Sequence, residues 1–286
     1  GIGAAVTPAM SAFYGHALPA PPTGFGPKEL RDMTQRQGHV SVAINLDGLR
    51  FADESGGTGE EHLAQAMALQ RDATAVYITD AEIAEIPLRQ GLPRTFTERL
   101  RKRGGPVIER QTLEELCEAL EVWGVAGAGA LLTLREFNQA LADGHPDQLD
   151  PPRRGNHYPI MKPPFTAVLV RPGVTFTHGG LEVDTELRVL RRSSSSSTLP
   201  LAIAEHSEVR FNPIPNLYAA GCDVGNISNA GYMGGLGTAL TTGRRAGLGA
   251  AACARARKAG GQAEAVSVSK GRTLPQRMGE EARSAW

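Results

Sequence analysis

Apolar and polar positions along the chain predict short strands that alternate with short helices. Residues 39–55 alternate apolar and polar side chains around the turn signal Asp47-Gly48, which predicts a β-hairpin. Residues 60–71 have the composition of a helix, and the apolar run at 73–80 predicts a buried strand. This part of the chain therefore combines both kinds of element.

Residues 112–144 have the apolar periodicity of helices. Thr112 and Glu115 begin a helix whose apolar positions fall on one face, so Cys117 is expected in the core. A second helix is predicted over residues 131–144 and ends at Gly144. Residues 38 to about 150 are therefore predicted to form an α+β module, inserted between two parts of another domain.

A proline-rich segment at 151–165 predicts the linker that returns from this module. Its basic residues either hold an anionic substrate or are solvated, and the linker composition favours solvation; they are Arg153, Arg154, His157 and Lys162. Strands are predicted at 165–170 and 174–178, with a turn at Gly179-Gly180.

Thr175, Thr177 and His178 lie beside glycines that permit close approach of the backbone to a ligand, and they form one candidate site. His16 precedes a run of prolines. It is either a histidine of a surface loop or a polar group directed into a cleft.

The most informative pattern is residues 216–247. A short apolar strand breaks at Gly221, Asp223 follows, and a loop rich in Gly and Asn leads into a helix that begins with Gly234-Gly235. Glycines allow the backbone to approach a ligand, and a helix N-terminus offers unpaired N–H groups. The pattern alone leaves two alternatives, a turn that faces a cofactor and a tight turn that only packs.

The amino-acid composition indicates which classes of binding partner and which compartment to expect. The 286 residues contain 30 Lys and Arg and 30 Asp and Glu, which gives no reason to expect nucleic acid or an anionic membrane surface as partner. Three widely spaced cysteines argue against a disulfide framework and against a metal site, and they favour a cytoplasmic protein. The sequence contains no apolar run long enough to span a membrane.

Four segments in this order resemble the fumarate reductase and succinate dehydrogenase flavoprotein family, in the branch that includes tricarballylate dehydrogenase and 3-ketosteroid dehydrogenases. They are AFYGH (12–16), INLDGLRFADES (44–55), PPFTAVLVRPGVTFTHGGLEVD (163–184) and NLYAAGCDVGNISNAGYMGGLGTALTTGRRAG (216–247).

The resemblance implies an α/β fold in which an incomplete Rossmann-like FAD-binding domain carries an inserted α+β capping domain. The expected divisions are FAD-binding parts at 1–30 and 161–255, a capping domain at 31–160 and a disordered tail at 256–286.

The resemblance also implies roles for single residues. FAD is the expected cofactor, with Gly221 and Asp223 at its ribityl chain and the helix start at the edge of its ring: Gly234, Gly235, Gly237 and Thr238. Tyr232 is the expected catalytic phenol, which polarises a carbonyl or transfers a proton. His178 and His16 are expected to complete the catalytic group as substrate contacts, and Thr175 and Thr177 are expected to bind a small-molecule substrate.

Departures from the family argue against fumarate reduction. Tyr232 stands where fumarate reductases have an arginine, and a phenol cannot clamp a dicarboxylate as a guanidinium does. Thr175 stands at the position of a family histidine and His178 at that of a methionine. A GxGxxG fingerprint is absent from these 286 residues, so the chain by itself is expected to bind FAD weakly or not at all.

The resulting expectation is an FAD-dependent oxidoreductase, or part of one, that transfers hydride between flavin and a C–C bond next to a carbonyl or carboxylate. The alternative is a truncated, non-catalytic remnant that serves as a binding or structural module. The substrate, the electron partner and the direction of reaction stay open.

Overall fold

The computed structural model describes residues 2–8, 10, 12–21, 23–56, 61–86, 96–192, 211–227 and 234–259. These ranges contain seven strands: β1 (Phe13–Pro19), β2 (Val42–Ile44), β3 (Ala75–Thr79), β4 (Val107–Arg110), β5 (Phe165–Thr177), β6 (Arg188–Arg192) and β7 (Phe211–Tyr218). They also contain six α-helices: α1 (Leu30–Met33), α2 (Glu61–Ala68), α3 (Phe96–Lys102), α4 (Leu113–Ala119), α5 (Gly127–Ala142) and α6 (Gly235–Lys258). The mixture of helices and strands confirms the predicted α/β class.

A five-stranded antiparallel sheet forms the larger part of the described chain. Its order is β1-β5-β3-β2, and β4 also pairs with β5. Residues 166–170 of β5 pair with β3 along one edge, so β4 and β1, which pair with residues in the same stretch, lie along the other edge. The strand predicted at 73–80 is confirmed as β3, and the two strands predicted at 165–178 are one continuous strand. Of the hairpin predicted over residues 39–55, the first strand is β2, but it pairs with β3, and the returning segment makes one bridge, between Ile44 and Arg50.

Alternating side chains give this sheet two apolar faces. Val76 and Ile78 pack with α4 and α5, and Cys117 is buried there as predicted. Ala75 and Tyr77, which point the other way, pack with α2 and α3. The sheet is therefore covered by helices on both sides, and burial raises the pKa of the Cys117 thiol to about 11.

The large sheet and the helices that pack on it, which we call the larger unit, enclose a buried network of charges that joins residues 41–54 to Arg153. Glu54 accepts hydrogen bonds from Arg50 (Nε, 2.9 Å; Nη2, 2.6 Å), from Arg153 (Nη1, 2.8 Å) and from the backbone N–H of Ala43 (3.0 Å). Arg153 also donates to the carbonyl oxygen of Ser41 (2.9 Å). Contrary to the expectation of a solvated or substrate-binding linker, Arg153 is 1% exposed and is held inside this network.

A smaller unit contains β6, β7 and α6. Its core consists of four buried residues, Val189, Ile214, Ala219 and Val224, with partly buried neighbours. In α6 only Ala246 is buried. The large sheet includes β1 and β5, so it crosses the predicted divisions at 30 and 160; the domain division stays a prediction, and residues 260–286 of the predicted tail lie outside the described residues.

Among the helices that the structure describes, none combines the length and the apolar character required to cross a bilayer.

We predict that Glu54→Gln lowers the free energy of unfolding by about 3 kcal/mol, because it leaves two buried guanidinium groups without their counter-charge. Urea denaturation followed by circular dichroism measures the change. Glu114→Gln is the matched control, since Glu114 pairs with Arg135 in an exposed ion pair. Equal effects of the two substitutions would contradict the importance of the buried network.

Candidate functional site

The turn that follows β7 presents an acidic side chain. Residues Gly221–Asp223 form a single 3-10 turn, and Gly221 has a φ of +65°, which favours glycine. The N–H of Gly221 donates to Oγ1 of Thr242 in α6 (2.8 Å), and the carbonyl of Asp223 accepts from the N–H of Leu181 (2.7 Å). The Asp223 carboxylate is exposed, and within the described residues it makes no hydrogen bond.

The start of α6 is open. A Cβ added at Gly234, Gly235 or Gly237 would meet no atom of the described chain within 4 Å. The Thr238 hydroxyl donates to the Gly234 carbonyl (2.9 Å), which fixes the first turn. The first N–H groups of a helix lack intrahelical partners, so this end can accept an electron-rich group. Residues 228–233, and Tyr232 with them, lie outside the described residues.

Four rings on β1 and at the end of β5 form a continuous row, which we call the aromatic ladder: His16, Tyr14, Phe176 and His178. His16 meets Tyr14 edge to face (5.0 Å between centroids), Tyr14 stacks on Phe176 (5.1 Å), and Phe176 meets His178 edge to face (5.7 Å). His16 therefore lies in a strand rather than in a loop. The two predicted histidines stand at opposite ends of the ladder.

His178 is 5% exposed, and neither of its ring nitrogens has a hydrogen-bond partner among the described residues. Burial lowers the pKa of His178 below its ordinary value, because the charged imidazolium loses its hydration. A neutral imidazole keeps one donor and one acceptor. His178 can therefore form hydrogen bonds with a neutral ligand group.

Backbone contacts hold His178 beside the Asp223 turn. The N–H of Asn226 donates to the His178 carbonyl (3.3 Å), and the N–H of Gly225 donates to the Leu181 carbonyl (3.1 Å). A Cβ at Gly180 would lie 2.6 Å from the Asp223 carbonyl, so only glycine permits this approach. The two candidate sites seen in the sequence are thus neighbours in space.

Thr175 and Thr177 are exposed and are placed differently from the ladder. Tyr14 pairs with Phe176 and Gly15 with Val174, so Thr175 opposes no residue and forms a β-bulge. Thr177 pairs with Phe13, on the face of the sheet opposite to Phe176. Their predicted contact with a substrate stays a prediction.

Two members of the ladder were missed from the sequence, namely Tyr14 and Phe176. Their signal is the spacing of two residues that each keeps from a histidine, Tyr14 from His16 and Phe176 from His178, because such pairs share one face of a strand. In the described part of the chain, no group of three or more His, Cys, Asp or Glu side chains is arranged to hold a metal ion.

Comparison with known proteins agrees with the flavoprotein family expected from the sequence motifs. The family model described as FAD binding domain matches residues 6–238. NADH:acrylate oxidoreductase of Vibrio harveyi is 30% identical over 196 residues, which are 68% of this chain and 16% of that protein. Fumarate reductase of Schizosaccharomyces pombe is 27% identical over 238 residues, 80% of this chain and 40% of that protein.

Among solved structures, 3-ketosteroid delta1-dehydrogenase from Sterolibacterium denitrificans matches with a TM-score of 0.57 and 23% identity, over 87% of this chain and 45% of that chain. This likeness concerns the fold alone. The chain spans less than two thirds of the length of each of these relatives. The family expected from the motifs, and FAD as its cofactor, are confirmed.

The lowered pKa of His178 predicts how stability changes with pH. The unfolded chain binds a proton near the ordinary value of 6.5 and the folded chain only at a lower pH. The contribution of His178 to stability is therefore fully present well above pH 6.5 and is progressively lost as the pH is lowered through 6.5. Thermal unfolding at several pH values measures the loss.

His178→Met, which removes the titrating group but keeps an apolar side chain, is expected to weaken this pH dependence. The exposed His145 provides the control, His145→Gln. An unchanged pH dependence in His178→Met would show that another group is responsible.

Proposed function

This chain belongs to the FAD binding domain family, and from that premise we propose that His178, the turn at Gly221–Asp223 and the start of α6 form the flavin-facing side of an FAD-dependent oxidoreductase. The observation that carries the proposal is the Asp223 carboxylate, which is exposed and without a hydrogen bond in the described residues. It stands at the end of a turn that is fixed on both sides. A carboxylate in this state is suited to accept hydrogen bonds from hydroxyl groups.

The described residues fit the flavin end of FAD. Asp223 would accept hydrogen bonds from the ribityl hydroxyls, with Gly221 giving the turn its shape. The open start of α6 would admit the edge of the ring, since glycines at 234, 235 and 237 leave space there. Thr238 lies in the same first turn, whose N–H groups and dipole favour a developing negative charge.

Bound FAD supplies the acceptor or donor of hydride, and the chain positions the substrate and manages the proton. We assign Tyr232 to polarise the substrate carbonyl or to transfer a proton. His178 would contact the substrate as a neutral imidazole, and His16 would contact it from the far end of the aromatic ladder. Thr175 and Thr177 are assigned as further substrate contacts.

The proposed substrate is a small molecule with a C–C bond next to a carbonyl or carboxylate. The names of two relatives refer to acrylate and fumarate, which both carry a C=C bond next to a carboxylate. Tyr232 in place of an arginine favours a substrate with fewer charges than fumarate. The cytoplasmic location proposed from the cysteine spacing stays a prediction.

We expect the 286-residue chain to bind FMN at least as well as FAD, because the assigned contacts reach only the ring and the ribityl chain. Quenching of flavin fluorescence gives both affinities. Asp223→Asn is expected to weaken FMN binding about tenfold, through loss of charge-assisted hydrogen bonds.

Asp147→Asn is the control, because Asp147 is an exposed carboxylate in the larger unit. Absence of FMN binding by the unaltered chain would refute the proposal and support a binding or structural module instead. Tight, stoichiometric binding of FAD would overturn the expectation of weak FAD binding.

A second prediction concerns the chemical step. In a longer polypeptide that contains this chain and turns over substrate, Tyr232→Phe should lower kcat by about 100-fold while FAD stays bound, because the proton-transferring hydroxyl is lost. Rapid-mixing absorbance spectroscopy of the flavin measures the step. Unchanged turnover in Tyr232→Phe would show that Tyr232 is not the catalytic group.

A further inference from the structure

Within the described residues, the Asp223 turn is attached to α6 by one side-chain hydrogen bond. Oγ1 of Thr242 accepts the N–H of Gly221 (2.8 Å) and donates its own proton to the carbonyl of Thr238 (2.7 Å). A hydroxyl has one donor and two acceptor positions, so both bonds form at once. The hydroxyl proton of Thr242 is therefore used in a hydrogen bond within α6, and a lone pair of Oγ1 accepts the hydrogen bond from Gly221.

This bond lies at the residue where the chain turns away from β7. Ala220 is extended, Gly221 has a φ of +65°, and the chain then turns toward Asp223. Space does not impose this path, because a Cβ at Gly221 would lie 3.8 Å from the Cβ of Ala239, an ordinary contact. Among the described residues, the contact that holds the Gly221 N–H is its hydrogen bond to Thr242.

The other end of the turn is held by backbone alone, through the bond from the Leu181 N–H to the Asp223 carbonyl (2.7 Å). The Asp223 carboxylate itself has no hydrogen bond in the described chain that would orient it. Its position depends on the two anchors of the turn, and only Thr242 supplies one of them with a side chain.

We propose that Thr242 is a positioning residue that presents the Asp223 carboxylate to the ribityl hydroxyls of a bound flavin. This inference rests on the function proposed above, in which Asp223 binds the flavin. Thr242 acts through the Gly221 amide and does not contact the ligand.

The test is a double-mutant cycle on the 286-residue chain, with FMN as the probe. Thr242→Val removes the hydroxyl and keeps the shape, and it should weaken FMN binding about fivefold, the order expected for one lost hydrogen bond. Thr242→Ser, which restores the hydroxyl, should restore the affinity. Thr242→Ala provides the same test without added bulk if the valine variant does not fold.

In the Asp223→Asn background, Thr242→Val should cause no further loss, because both substitutions act on one contact. Thr241→Val is the control, since Thr241 is its exposed neighbour on α6. Hydrogen exchange of the Gly221 amide, measured by NMR without flavin, should be faster in Thr242→Val and normal in Thr242→Ser.

Three results would overturn the inference. If Asp223→Asn weakens FMN binding and Thr242→Val does not, Thr242 has no positioning role while the proposed function stands. Additive losses in the double variant would show that Thr242 acts independently of Asp223. If the unaltered chain does not bind FMN, the proposed function fails and the inference fails with it.

Discussion

The antiparallel pairing of β1 with the C-terminal half of β5 connects the large sheet to the candidate site. Residues 165–170 of β5 lie in the core, paired with β3 and β4, and residues 170–177 leave that core with β1 as their partner. The aromatic ladder lies on this two-stranded part. A Cβ at Gly15 would be 2.3 Å from the Gly173 carbonyl, so the two strands approach more closely than any side chain permits.

The two units of the chain are stabilised in different ways. The larger unit buries apolar side chains on both faces of its sheet and encloses the Glu54 network. The smaller unit buries few side chains, and its loops are aligned by backbone hydrogen bonds at Leu181, Gly225 and Asn226. The geometry of the candidate site therefore depends on glycines and on amide partners more than on side-chain packing.

The sequence was sufficient to predict those helices and turns whose determining residues are near one another in the chain. Thr112 and Glu115 form the expected capping box, and Cys117 is on the apolar face that the periodicity indicated. The break at Gly221 followed by Asp223 also forms a turn against a glycine-initiated helix. In each case the residues that determine the structure are close together in the chain.

Contacts between residues far apart in the chain could not be predicted from these local patterns. Prolines after His16 concealed β1, whose partner lies more than 150 residues later. Arg153 was predicted to lie in a basic linker, because the sequence near it contains no sign of its acceptor Glu54, which is 99 residues away. Thr177 and His178 are adjacent in sequence, yet the bulge at Thr175 and the pairing with β1 determine which of them joins the ladder.

The turn that contains Asp223 also carries an exposed cysteine, which can be labelled chemically. Cys222 is exposed, while the Cys117 thiol is buried and protonated at neutral pH, and Cys253 is half-buried beside Asn216. Thiol-reactive dyes require an accessible thiolate, so Cys222 is the favoured attachment point among the three. The chain thus carries a natural labelling position next to the carboxylate whose environment a bound flavin is expected to change.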